Sequence, residues 1–564
     1  MRTDTEITYS LIDVTAADDA ALDTLDRQEF SDLSDLLEEE KKQGKYSTLE
    51  KGQFLLDGTF EAFPDRPNGR VHGLWSQSMS DEHGAFAVPP ELTATFSQNH
   101  SSVGITLRFY ELTGDYADEV EVVWYGAGGA ELQRTVVRPD RISYFVDCPV
   151  EDYYKITVRF LHTNRPYRYV KLCGIIFGAV TKFEGGDLIS AEVLEETNPI
   201  SEELRISTLN FSFYNSTGRF ELLSPTGVYK MLQQQQQVEV AEIVDGRRIE
   251  FGTYYLETPS SETDGMTALS CVDLLGIIDK TNYMGGIYSE VEASVLIADI
   301  MRSAGAEYEL DSALAGEKLS GYIPICTHRE ALQQVAFALG AIVTGGRSGK
   351  IVIRLPETEP DGAIGPERKI TGQQIGLEEL VTRVEVTAYE YVVSKDEREV
   401  YRGELPDGET VIHFSAPVKD FSINANILEW GANYARVSPN LSSEVVATGT
   451  VYEAYATVAG AAEISPLPAG AKPNILTVEG ATLIDKTRAQ AAAERILDYY
   501  SGRYTYNGRI LGAEETAGQY LEIKNSGGKS VAGRIESISY DLTGGHLATL
   551  KLRGKAVDAA ERRI

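Results

Sequence analysis

The chain has 564 residues, 42% hydrophobic and 24% charged, with 85 Asp and Glu against 52 Lys and Arg and a formal net charge of −33. The length predicts about four domains at roughly 150 residues each, every one large enough to bury a core. The acidity excludes a protein that wraps nucleic acid, because such binding is driven by cations laid against phosphate; it serves solubility, or it lines a passage along which DNA slides without sticking. Cys148, Cys173, Cys271 and Cys326 are scattered without CxxC spacing, a pattern of neither a zinc site nor a disulfide framework. No N-terminal apolar segment resembles a signal peptide, and no run approaches the ~18 apolar residues of a membrane span. A chain made in the cytoplasm, with no membrane span, is expected.

Residues 1–50 are polar and acidic and read as a helical or extended arm. In "FSDLSDLLEEEKKQGK", Leu33, Leu36 and Leu37 fall on one helical face, with Ser31 or Asp32 placed to cap the start and Gly44 to end the helix. Such a narrow stripe fits docking on a neighbouring subunit or packing on its own chain. From 51 to 182 the pattern is all β, with "ELTATFS", "GITLRFYEL", "VEVVWYG", "QRTVVRP", "YYKITVRFLHT" and "RYVKLCGIIFG" at short spacing and Gly126 to Gly129 at a hairpin tip. That spacing predicts a two-sheet sandwich with a jelly-roll-like order.

Residues 183–290 read as a first barrel. In "STLNFSFYN", Leu209, Phe211 and Phe213 alternate with Asn210, Ser212 and Tyr214, the period of a half-buried strand. Asp245-Gly246 and Asp264-Gly265 supply the positive φ angles that tight hairpins require. Over 291–370 the period changes to that of a small α+β module. "EVEASVLIADIMRSAG" places Val291, Val295, Ile297 or Ala298 and Met301 on one face. "THREALQQVAFALG" has a Thr327/Glu330 capping box, a stripe of Leu332, Val335, Ala336 and Leu339, and Gly340 as its stop. The stretch 371–564 returns to β and reads as a second barrel, interrupted by one helix that Asp485 caps and carrying a turn at Asn507-Gly508.

Motifs for chemistry are sparse. "TGGRSGKI" at 344–351 has the wrong glycine spacing for a phosphate loop, and Ile351 stands where a magnesium-binding hydroxyl belongs, so it reads as a hairpin turn. His72, His83 and His100 lack paired-ligand spacing. A glycosidase needs one carboxylic acid lifted by an apolar pocket, and nothing in the sequence singles one out. No catalytic, metal-ligating or cofactor-binding residue is assigned, and the chain is expected not to be an enzyme. Thirty tyrosines against three tryptophans favour rings with a wet end. In the sandwich Trp75, Trp124, Tyr125, Tyr153, Tyr154, Tyr167 and Tyr169 form a candidate glycan or partner surface.

The order "FSFYNSTGRFELLSPTGVYKMLQQQQQVEV", "FGTYYL", "DLLGIIDKTNYMGGIY", "GYIPICTHREALQQVAFALGAIV" resembles that of tail hub proteins of phages and prophages, particularly clostridial ones. Over roughly 185–553 the chain is similar to the central hub of contractile baseplates and to tail-associated proteins of long-tailed phages. The resemblance implies two hub-type β-barrels, at about 188–280 and 371–553, flanking the α+β module. It also implies a homotrimeric ring at the distal end of a phage tail or tailocin, where two barrels per subunit imitate sixfold symmetry. The implied partners are the tail tube and the baseplate or tail-tip proteins, with a tape-measure or spike protein besides, while DNA or cargo passes without specific binding. The implied location is the virion tail, assembled in the cytoplasm of the host bacterium. Cell-wall glycan recognition through the sandwich is the alternative, and a peptidoglycan hydrolase is a third reading; the enzymatic extension that some relatives carry is not seen after the second barrel.

Overall fold

The computed structural model describes residues 2–12, 14–37, 43–55, 57–62, 70–215, 236–262, 265–406, 408–439, 444–525 and 529–558. Asp264 and the whole segment from Ser216 to Gln235 lie outside these residues, so the turn expected at Asp264-Gly265 and the start of the glutamine run fall outside them too. The chain is mainly β in several sheets and divides into two units. Residues 8–182 with 217–237 make one; 1–7, 183–216 and 238–564 make the other.

In the N-terminal unit seven strands pair in one sheet, with Leu74–Met79, Tyr169–Ile176, Glu91–Phe109, Ser143–Thr163, Ala117–Tyr125 and Glu131–Val137 in that order and Ala21–Asp23 added beside Glu91–Phe109. The two longest strands turn at register breaks between Thr95 and Gly104. At the last of these a Cβ on Gly104 would lie 2.0 Å from the Val146 carbonyl, and φ is +145°, so only glycine lets the strands cross so closely. Gly126 donates its N–H to the Ala130 carbonyl and closes the predicted hairpin tip. The core collects Phe96, Ile105, Leu107, Trp124, Tyr153 and Phe160, all at most 2% exposed.

The arm over residues 14–37 departs from the helical expectation. Its only helical turns are Val14–Asp19 and a 3-10 turn at Ser34–Leu36, while Thr3–Ile12 is a strand. Leu33 and Leu36 are buried in the core of the N-terminal unit and Leu37 packs against it. Leucines spent on that core leave no stripe for a neighbouring subunit. Residues 38–42, the rest of the expected helix, lie outside the described ones.

The larger unit is organised by one long sheet. Its strands run Gln374–Leu377, Tyr504–Leu511, Leu547–Asp558, Lys529–Asp541, Leu188–Glu196, Thr208–Tyr214, Met266–Val272, Arg247–Glu262 and Gln237–Val244. The first four make a C-terminal lobe and the last five an N-terminal lobe. They join edge to edge where Leu188–Glu196 pairs antiparallel with Lys529–Asp541, from Glu192 opposite Asp541 to Glu196 opposite Ser537. Two separate barrels were expected; among the described residues the paired strands of neither lobe close on themselves. The facing edges of the two lobes pair with each other at this shared seam instead.

Leu209, Phe211 and Phe213 face inward as the alternation predicts, and Asp245 and Gly246 take φ of 49° and 87° in their tight turn. Asn507-Gly508 does not turn: both residues sit inside Tyr504–Leu511, where Gly508 leaves room for the Tyr506 ring.

The α+β module forms on helices Ala293–Ala304 and His328–Leu339 and the hairpin of Ile342–Thr344 with Ile351–Arg354. The Thr327/Glu330 capping box is present and Gly340 ends the second helix with φ +72°. On the first helix the inner face is Leu296, Ile297, Ile300 and Met301, and Val295 is 57% exposed. A third helix, Ala489–Ser501, enters the same core with Ala489, Ala492, Ala493 and Ile496. Asp485 accepts from the N–H groups of Thr487 and Arg488 in the turn before that helix, and does not cap it.

Residues 383–478 leave the long sheet. Arg383–Glu404 and Glu444–Glu463 form a ladder from the pair Arg383/Glu463 to the pair Glu404/Glu444, flanked by Val418–Ile423 and Ile475–Val478. At the far end Thr410–His413, Tyr434–Ser438 and Asn426–Trp430 make a separate three-stranded sheet over a small core of Ile412, Ala425, Ala435, Val437 and Val445. The stretch 371–564 is therefore a lobe plus a β arm, not one barrel.

Candidate functional site

The predicted aromatic surface of the N-terminal unit does not assemble. Trp75, Trp124 and Tyr153 are at most 1% exposed, so three of its seven rings are core. Tyr125, under the Lys155 ammonium at 5.4 Å, with Tyr154, Tyr167 and Tyr169, remains at or near the surface. The three histidines are dispersed as well: the His72 ring meets Tyr46, His100 pairs with Asp19 at 2.9 Å, and His83 is exposed beside Glu82. Among the described residues no group of three His, Cys, Asp or Glu is placed to hold a metal ion.

Sequence reasoning passed over a buried charge cluster in that unit. Lys171, from the apolar strand Tyr169–Ile176, has no side-chain exposure and reaches Glu50 at 2.7 Å and Asp115 at 2.8 Å. Its third donor goes to the Gln53 carbonyl oxygen at 3.0 Å, and the ammonium lies 5.1 Å from the Trp75 ring. Gln53 donates in turn to Asp115, which also receives Arg168 at 3.1 Å. Burial alone would lift the Asp115 carboxyl, but Lys171 together with the hydrogen bonds from Thr113 and Gln53 outweighs it and holds the group below the usual carboxylate range. The cluster pins residues 48–53 to the sheet. A lysine in the middle of "RYVKLCGIIFG" was the available signal.

At the seam of the two lobes the glycine hairpin 345–349 positions a second buried cation. Gly346 and Gly349 take φ of 66° and 73°, which turns Arg347 over Gly252; a Cβ there would lie 3.1 Å from the Arg347 Cα. The Arg347 guanidinium donates to Glu195 at 2.7 Å and to the Glu515 carbonyl at 2.9 Å. Its plane lies 4.7 Å from the Phe251 ring and 5.6 Å from that of Tyr540. Glu195 and Phe251 belong to one lobe, Glu515 and Tyr540 to the other, so a single side chain from the α+β hairpin clasps both. A buried pair of Glu242 with His546 ties the same lobes together. The segment that mimicked a phosphate loop thus holds a protein carboxylate.

Among the described residues two carboxyls are lifted, the first thing a hydrolase would show. Asp273 is pushed up to about 6 by burial, against the N–H groups of Ser207 and Gly276 that favour its charge. It caps the helix Leu274–Ile278 and lies against Gly345, enclosed and without access for a substrate. Glu202, lifted by burial, hydrogen-bonds the Tyr500 hydroxyl at 3.2 Å.

Among the cavities that open on the larger unit are two of note. One of about 350 Å³ lies at the seam, lined by Glu196, Arg205, Tyr499, Glu536 and Lys551, whose ammonium is bound to Glu536 at 2.9 Å. The other, of about 460 Å³, is apolar and lies along the helix Ala293–Ala304.

No family model and no curated protein matches the chain. Solved structures that it is similar to include a tail protein from Neisseria meningitidis, at 11% identity over 66% of this chain and 94% of that one, with a TM-score of 0.41. Another is a prophage tail protein from Shewanella oneidensis, at 11% identity over 66% and 95%, with a TM-score of 0.39. A third is a prophage tail protein from Listeria monocytogenes, at 9% identity over 68% and 93%, with a TM-score of 0.38.

Proposed function

We propose that the chain is a structural hub of a phage tail or phage-tail-like particle, a non-enzymatic protein of which three copies form a ring at the distal end of the tail. The observation that carries this reading is the seam. Two β lobes of one polypeptide are built into a single sheet through Leu188–Glu196 and Lys529–Asp541 and clasped by Arg347, so each subunit presents two sheet lobes held in fixed relation. Three such subunits in a closed cyclic arrangement offer six lobes to a sixfold tube. The order of elements in the sequence supports the same role. In it the ring joins the tail tube to the baseplate or tail tip, and its acidic charge lets DNA or cargo pass without being held. The particle is assembled in the host cytoplasm and the chain ends up in the virion tail.

The test is an image of the assembled particle, with the mass of the free protein measured beside it. Density for three copies on the tail axis, each with two lobes under the tube, is the expected result. A single copy per particle, or copies attached away from the axis, overturns the reading.

A further inference from the structure

The far end of the β arm and the helix Ala293–Ala304 carry an exposed apolar surface that the ring does not require. The strand Asn426–Trp430 is the outer strand of its three-stranded sheet and is exposed at all five residues. Ile427, Leu428 and Trp430 are 46%, 50% and 47% exposed. An apolar edge with an unpaired side is a template for another strand. Beside it opens the apolar cavity of about 460 Å³, lined by Tyr288, Val291, Val295, Leu296 and Ala298, with Asp299 at its rim. Three residues past the strand, the Asn433 amide donates to the carbonyls of Met284 at 2.8 Å and Ile323 at 3.1 Å, at the start of the strand Gly286–Glu292 that supplies Tyr288 and Val291 to the cavity. The Tyr434 phenol, pushed up to about 12 by burial and by its hydrogen bond to Glu429, also feels the charge of Asp299.

We infer that this edge and cavity form a docking groove for an extended, apolar segment of a different protein flanked by Lys or Arg: the segment adds a strand beside Asn426–Trp430 and places one apolar side chain in the cavity. Charge selects this occupant. Residues 383–463 hold six Lys and Arg against thirteen Asp and Glu, a net −7. Of the cations near the groove, Arg302 is engaged with Asp299, Lys318 with Glu290 and Arg436 with Glu429, while among the described residues Glu292, Glu397, Glu409 and Asp420 form no ion pair. A second copy of this chain brings its overall net charge of −33 to the groove, and is disfavoured here. The inference does not rest on the trimeric ring.

The test uses the full chain and two labelled ten-residue peptides of alternating Thr and Val, one with a lysine at each end and one with a glutamate at each end. The expected result is saturable binding of the lysine peptide, at least about tenfold tighter than the glutamate peptide, with slowed amide exchange at 426–430. Val295→Glu, at an exposed helix position, separates docking from plain charge attraction. It adds a negative charge, so attraction alone would tighten the lysine peptide, whereas a blocked cavity weakens it by about fivefold or more. Equal binding of both peptides, tighter binding to Val295→Glu, protection at another segment, or protection at 426–430 only through self-association each overturns the inference.

Discussion

Lys171 and Arg347 are both buried cations held by carboxylates beside an aromatic ring, and the difference between them shows what each unit needs. Lys171 is a compact charge with all three donors taken, by Glu50, Asp115 and Gln53, at zero side-chain exposure. It fastens a short irregular segment to its own sheet. Arg347 keeps 17% of its side chain exposed and works through its shape, a fork on Glu195 and Glu515 and a flat face on Phe251 and Tyr540. It fastens two lobes to one another. A point charge completes a closed shell, while a planar fork spans a seam.

The largest expected effect tests the closed shell. Lys171→Met leaves Glu50 and Asp115 buried without their cation, and removing one partner of a buried set costs about 3 to 5 kcal/mol. Urea unfolding followed by Trp75 and Trp124 fluorescence measures the loss, and proteolysis within residues 48–53 should accelerate with it. Adding Glu50→Gln and Asp115→Asn to Lys171→Met should restore part of the stability, because the uncompensated charges go too. A triple variant no better than the single one would mean that the lysine acts by packing.

The seam comes next. Arg347→Ala removes the pair with Glu195 and both ring contacts; discounted for the partial exposure of the guanidinium, the loss is about 2 to 3 kcal/mol. Arg347→Lys should lose nearly as much, since a lysine reproduces neither the fork nor the stacked plane. Amide exchange in Leu188–Glu196 and Lys529–Asp541 reads the effect where the lobes meet. If both variants leave that exchange unchanged, the strand pairing holds the seam alone and the clasp is incidental.

Asp273 sharpens the comparison with a buried group that pairs with no cation among the described residues. Its carboxyl titrates near 6 in the folded chain against an ordinary 3.8, so the folded state holds its proton to higher pH than the unfolded one. The stability this contributes is complete below the unfolded value and is lost as pH rises through 6. Asp273→Asn removes the titration. The stability of the wild type relative to the variant should fall by about 2 kcal/mol between about pH 4.5 and about pH 7.5. A difference that stays flat over that range would place the titration elsewhere.

These clusters also mark where the sequence stops being legible. Strands with clean alternation, such as Thr208–Tyr214, were readable because burial repeats every second residue. The Asp245-Gly246 turn and the Gly126–Gly129 tip were readable because their conformations are set by one or two residues. Asn507-Gly508 carried the same signal and failed, since the strands on either side, Gln374–Leu377 and Leu547–Asp558, hold it extended. The seam and the arm were not readable at all. The seam depends on pairs far apart in the chain, Glu192 with Asp541 and Arg347 with Glu195, and the arm on a ladder from Arg383/Glu463 to Glu404/Glu444, pairings for which one sequence holds no local trace. The aromatic surface failed for a related reason: ring content cannot say which rings the core takes, and Trp75, Trp124 and Tyr153 went inside.

The smallest expected effect falls on the feature the sequence showed best. The Thr327 hydroxyl accepts from the Glu330 N–H at 3.1 Å, and the Glu330 carboxylate receives the Thr327 N–H at 3.0 Å. Thr327→Ala should cost about 1 kcal/mol, the usual worth of such a cap. The same hydroxyl donates to Asp279 at 2.9 Å, and Arg329 binds the same Asp279 oxygen, so the cap is also a link between two helices. Thr327→Ser keeps the hydroxyl and should keep nearly all of the stability. Asp279→Asn spares the cap and weakens only the link. A loss for Asp279→Asn equal to that for Thr327→Ala would show that the link, and not the local cap, is what the threonine supplies.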